Sequence, residues 1–182
     1  MNPSSPTREV RLRRGGVLIA GAAIYAALVY GPLEFLWTPL LIGLAYLGAA
    51  AAGGRHGGMW ATGLVLTGWG LGVVLTNKVD LGVSTADGYL IGIGAAAVAA
   101  GLLASRGFAV DLVGVGATTV FAGLFHTLAG DPVQALVEPW PYVALLGLVG
   151  AVNVALAFLP QRSVERSAEP VGHPAGAMAA GR

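Results

Sequence analysis

Six apolar stretches, at about 16–36, 39–54, 59–77, 88–105, 109–129 and 141–160, take up most of this 182-residue sequence. The connections between them are short and rich in glycine, proline or charge. A helix needs ~20 mostly apolar residues to cross a bilayer, and backbone amides in hydrocarbon must be satisfied within their own segment. These stretches therefore predict an all-α, polytopic bundle of six transmembrane helices. Composition agrees: 55% of residues are hydrophobic and 10% charged, against about 25% charged in soluble domains, and mean hydropathy is +0.74.

Charge placement predicts orientation. With six spans, Arg8, Arg11, Arg13 and Arg14 precede the first, Arg55 joins the second and third, Arg106 joins the fourth and fifth, and Arg162, Arg166 and Arg182 follow the sixth. All fall on one side. The other side carries Lys78 alone among the basic residues, with Glu34, Asp80, Asp87, Asp131 and Glu138. By the positive-inside rule both termini are cytoplasmic, which places the protein in the cell membrane. An odd span count would scatter the arginines. Residues 1–14 form a basic arm ahead of an uncleaved first helix, 15–160 the membrane domain, and 161–182 a tail too polar and aperiodic to fold.

Local signals set the boundaries. Pro32, Glu34 and Pro39 make 31–38 a tight external corner, with Trp37 at the interface. The second stretch is short for a full span, so a re-entrant hairpin of the first two segments is the alternative. Residues 53–58, GGRHGG, form a basic turn. Trp60 suits an interfacial belt, whereas Trp69 is placed to pack against a neighbouring helix. Ser84 or Thr85 with Asp87 supplies an N-cap for the fourth span. A three-plus-three division would invert the second half relative to the first, as in many transporters; GVLIAGAA at 16–23 and GYLIGIGAAA at 88–97 look alike.

Glycine is abundant, at 29 residues, where average usage is about 7%. A GC-rich genome favours such codons, but glycine also lets membrane helices approach closely. Gly63, Gly68 and Gly72 on the third span, and Gly88 and Gly92 on the fourth, are the expected packing positions.

The fifth stretch is the richest in chemistry: AVDLVGVGATTVFAGLFHTLA. At ~100° per residue, Thr118 lies about 20° from Asp111, with Thr119 and His126 within roughly a further 100°. The four form one loose polar stripe. Asp111, about one turn into the helix, either complements the helix dipole within reach of Arg106 or holds a proton or cation. His126 either hydrogen-bonds a carbonyl or relays a proton. Thr118, Thr119 and Asn153 reach similar depth if the fifth and sixth helices are antiparallel neighbours. There they act as interhelical glue, at ~0.6–2 kcal/mol each, or line a small polar gap for an ion or uncharged solute.

The absence of cysteine excludes disulfides, thiolate metal sites and cysteine nucleophiles. Neither HExxH, GxSxG nor a P-loop occurs. A bis-histidine haem needs a second intramembrane histidine, and His56 and His173 lie in a loop and the tail. No cofactor, metal, nucleic-acid partner or enzymatic activity is expected. The expected function is transport of an ion or small solute along the fifth helix. The alternative is a scaffold or accessory subunit docking on a second copy or another membrane protein through glycine faces. The lipid bilayer is the partner common to both.

Overall fold

The computed structural model describes residues 8–31, 33–79, 82, 84–130 and 138–158, without the side chains of 125–130. Six α-helices follow one another: α1 Arg8–Val29, α2 Thr38–Ala52, α3 Trp60–Lys78, α4 Thr85–Ser105, α5 Leu112–Gly130 and α6 Trp140–Phe158. There is no strand among the described residues. Four segments are long and apolar enough to cross a membrane: α1, Phe35–Ala52, α4 and α6. The described apolar part of α5 is shorter, Leu112–Leu124. Helix α3, carrying Trp60, Thr62, Thr67, Trp69, Asn77 and Lys78, falls outside those four. Among the described residues it is also the helix with the most buried positions, Trp69 included.

The helix ends follow from local chemistry. Helix α1 starts at Arg8, inside the stretch read as an arm, because Arg is a good helix former and Glu9 pairs with Arg13 one turn on, at 2.5 Å. A 3₁₀ turn, Phe35–Trp37, leads into α2, where Pro39 occupies the first turn, the one helical place its missing N–H costs nothing. Gly54, at φ 74°, reverses the chain after α2, a conformation that favours glycine. Ser84 caps α4, its Oγ accepting from the Asp87 N–H at 3.2 Å and donating to Asp87 Oδ2 at 2.6 Å.

Helices α6, α1, α2, α3 and α4 form a row, each antiparallel to the next, and α5 lies on α3 and parallel to it. Glycine brings backbone to backbone along the row. A Cβ on Gly15 of α1 would lie 2.7 Å from the Gly150 carbonyl of α6, and one on Gly150 would lie 3.0 Å from the Gly15 carbonyl. A Cβ on Gly63 of α3 would lie 2.8 Å from the Leu47 backbone nitrogen of α2, and Gly43 of α2 faces the backbone of Thr67. Gly68 and Gly72 of α3 meet the carbonyls of Gly92 and Gly88 on α4. Lys78 and Glu34, 2.6 Å apart, tie the end of α3 to the α1–α2 corner.

Helix α6 packs on α1, not on α5, and α4 touches α5 only marginally among the described residues. The α5–α6 contact on which the common depth of Thr118, Thr119 and Asn153 depends is therefore at most marginal among the described residues, and a gap lies between the two helices. The two halves also pack differently, since α1, α2 and α3 are sequential neighbours while α4, α5 and α6 are separated by the first half. This arrangement lends no support to a three-plus-three repeat.

Candidate functional site

The gap between α5 and α6 is a cavity of about 280 Å³ floored by α2 and α3. Helix periodicity supplies its walls. Thr38, Ile42 and Tyr46 recur at i, i+4 and i+8 on α2; Thr62, Leu66 and Trp69 at i, i+4 and i+7 on α3. Residues at those spacings share a face. Thr118 and Phe121 of α5 and Tyr142 and Leu145 of α6 form the two flanks. Trp69 is 4% exposed and packs with Leu66, Val73 and Ala122. Between α1 and α2, behind the Thr38 wall, the Tyr25 hydroxyl lies 2.6 Å from Thr38 Oγ1, buried.

The lining carries hydroxyls, an indole and two phenols, and no charged side chain. Thr118 Oγ1 donates to the Gly114 carbonyl at 2.7 Å, which uses its proton and leaves its lone pairs as acceptors. The cavity therefore suits an uncharged molecule, largely apolar, with a hydrogen-bonding group. An ion would be stripped of water against apolar walls with no opposite charge, which is costly.

The described side chains of the expected stripe do not converge. Asp111 precedes α5 and is exposed; its Oδ1 accepts from the Val113 N–H at 3.0 Å. It caps the helix it was expected to lie within, because a short carboxylate ahead of a helix satisfies an otherwise orphaned amide. Thr118 is 9% exposed and faces the cavity. Thr119 is half-buried and donates to the Val115 carbonyl at 2.9 Å. His126 belongs to α5, but its side chain lies outside the described residues. Asn153 donates to the Val149 carbonyl of its own helix at 2.8 Å, about 12 Å along α6 from Leu145 by helical rise. Of the four whose side chains are described, the cavity takes in Thr118 alone.

The remaining lining residues escaped sequence reasoning. Their signal was present as hydroxyl and aromatic residues at helical spacing on α2 and α3, but spread over four helices whose neighbours only the tertiary structure assigns. Among the described residues no three His, Asp or Glu side chains gather to hold a metal. The fold is an all-helical one among the described residues, with four segments long and apolar enough to cross a membrane, compatible with a membrane protein. The sequence matches no family model, no curated protein and no solved structure.

Proposed function

We propose that this chain is a small six-span protein of the cell membrane, of transport type, which passes an uncharged small solute through the cavity between α5 and α6. The observation that carries the reading is that cavity: large enough for a small molecule, with Thr38, Thr62 and Thr118 among its lining residues, and without charge. The uncharged lining favours a neutral solute over an ion. The orientation, with both termini cytoplasmic, is supported by arginine placement. Arg8 to Arg14, Arg55 and Arg106 lie at one end of the antiparallel row, and Glu34, Lys78 and Asp87 at the other, as the positive-inside rule requires.

The test uses reconstituted vesicles and the cysteine-free background. Single cysteines at Thr62, Thr118 and Phe121 are expected to react with a membrane-impermeant thiol reagent and, once labelled, to slow vesicle swelling driven by small neutral solutes. A cysteine at Val120, on the exposed face of α5, is expected to stay protected by lipid. Protection of all the cavity positions, or swelling equal to that of empty vesicles, overturns the reading.

A second reading, the scaffold or accessory subunit, has its own observation. A Cβ on Gly94 or Gly101 of α4, or Gly116 of α5, would meet nothing within 4 Å. Among the described residues these glycines are not used for packing, and small residues on a membrane-facing helix admit a partner helix. Purification as a monomer that does not associate in lipid counts against it.

A further inference from the structure

The cavity between α5 and α6 gathers aromatic rings. Phe35 of the 3₁₀ turn, Tyr46 of α2, Trp69 of α3, Phe121 of α5 and Tyr142 of α6 are all among its lining residues, one from each element. A second hollow, of about 420 Å³ between α3 and α4, has no aromatic residue in its lining. Two ordinary reasons for aromatic residues in membrane helices do not account for the five. An interfacial belt lies at one depth. Here Phe35 and Tyr142 stand at the end of the bundle where α2 and α6 begin, and Trp69 stands at the middle of α3. Tyr46 is about 12 Å along α2 from Thr38 by helical rise. Core packing covers Trp69, at 4% exposed, but leaves Phe35 and Tyr142 half-buried and Phe121 49% exposed. Phe35 and Tyr142 already form a pair, with 5.7 Å between ring centres and a tilt of 53°, a separation at which rings attract through edge and face.

Size and polarity narrow the ligand. A dry apolar cavity of about 150 Å³ takes up benzene, so about 280 Å³ has room for one or two rings with a substituent. A cation would gain from the ring faces but would surrender its water with no carboxylate in the lining, and that cost is the greater. Thr118 Oγ1 donates its proton to the Gly114 carbonyl, 2.7 Å away, and towards a ligand can only accept. The complementary group is an N–H or O–H.

We propose that this cavity binds an uncharged aromatic molecule of one or two rings that carries an N–H or O–H donor, of the indole or phenol class. The five aromatic side chains recognise its ring, and Thr118 accepts from its donor. The inference rests on the reading of this cavity as the solute site, and names the class of solute.

Equilibrium dialysis of radiolabelled indole against the full chain in non-ionic detergent, with protein-free micelles subtracted, tests this. One saturable site is expected, emptied by unlabelled indole and far less by cyclohexanol, which has a donor and an apolar ring but no π-face. Phe121→Leu and Tyr142→Leu are each expected to weaken binding about two- to tenfold, the scale of one aromatic pair, since leucine keeps the position apolar. Phe158→Leu, at the far end of α6 and 60% exposed, is expected to leave binding unchanged. If Tyr142→Leu does not fold, Phe121→Leu decides against the same control. N-methylindole, which lacks the N–H, is expected to compete more weakly than indole for the wild type and as well as indole for Thr118→Val. A purely structural role for Thr118 would not move that preference.

No saturable binding overturns the proposal. So does competition by cyclohexanol or N-methylindole equal to that by indole, undiminished binding in Phe121→Leu, or an equal loss in Phe158→Leu. Vesicle swelling, measured in parallel, separates this from the transport reading. Swelling with small neutral solutes but no saturable indole site overturns the inference and leaves that reading standing. Saturable indole binding without swelling above empty vesicles does the reverse.

Discussion

The Tyr25 hydroxyl and the Thr38 hydroxyl are 2.6 Å apart in a buried pair that joins α1 to α2. Thr38 itself is 3% exposed and stands in the cavity wall, so the bond between two helices also fixes one side of the candidate site. Where water is scarce, a hydroxyl that loses its partner bears the full cost of its burial.

Tyr25→Phe is therefore expected to destabilise the protein by about 1–3 kcal/mol, because it leaves Thr38 unpaired. Thr38→Val alone is expected to do the same to Tyr25. The double variant is expected to be less damaged than the sum of the two, since removing both partners leaves no orphan. Unfolding of all four proteins in detergent gives the coupling directly. Additive losses mean that the two hydroxyls do not bond.

Glycine substitutions separate packing from propensity. Gly72→Ala puts a methyl against the Gly88 carbonyl, which must push α3 and α4 apart at a cost of about 1–3 kcal/mol. Gly94→Ala, on the open side of α4, is expected to be neutral or to stabilise by up to about 1 kcal/mol through helix propensity. A pair of melting curves checks both, and equal effects at the two sites would sink the assigned α3–α4 contact.

Asp111 and Thr118 separate capping from function. Asp111→Ala is expected to cost about 1 kcal/mol of stability through loss of the cap and to leave solute flux intact. Thr118→Val is expected to reduce flux, because it removes a hydroxyl facing the cavity, while changing stability little: its hydrogen bond runs back to Gly114 of its own helix. Swelling rates and melting curves on the same preparations read both. A flux defect in Asp111→Ala with Thr118→Val unaffected would return the chemistry to the mouth of α5.

The helical segments were legible in the sequence because a ~20-residue apolar run has few alternatives in a membrane. Helix partnership was not. In water an apolar stripe points to the core; in lipid a helix such as α6 is apolar all round, and Leu146 towards α1 looks no different from Leu145 towards the cavity. Gly15 and Gly150, whose backbones meet most closely between α1 and α6, were hidden among many glycines with the same spacing. Asp111 was placed too far into its helix for a different reason. The wheel assumes a residue already inside the helix, and an aspartate at a helix boundary acts on the backbone amides rather than across the bundle. Thr118 was found through the stripe, yet its companions Thr38, Thr62, Tyr46 and Tyr142 come from other helices, and no single-helix pattern unites them.

Thr67 gives the least ambiguous stability prediction. Its Oγ1 is buried with no hydrogen-bond partner among the described residues, pressed against the backbone of Gly43 where α2 crosses α3. A hydroxyl in that position loses its hydration and gains no bond in return, at a cost of about 1–3 kcal/mol. Valine has nearly the same shape and no polar atom, so Thr67→Val is expected to stabilise the protein by about 1 kcal/mol or more. Thr67→Ala, which leaves a void at the crossing, is expected to gain less. The order Val above Ala above Thr in melting temperature checks the reading. If Thr67→Val melts below the wild type, the hydroxyl has a partner and α2 and α3 are held together there by a hydrogen bond.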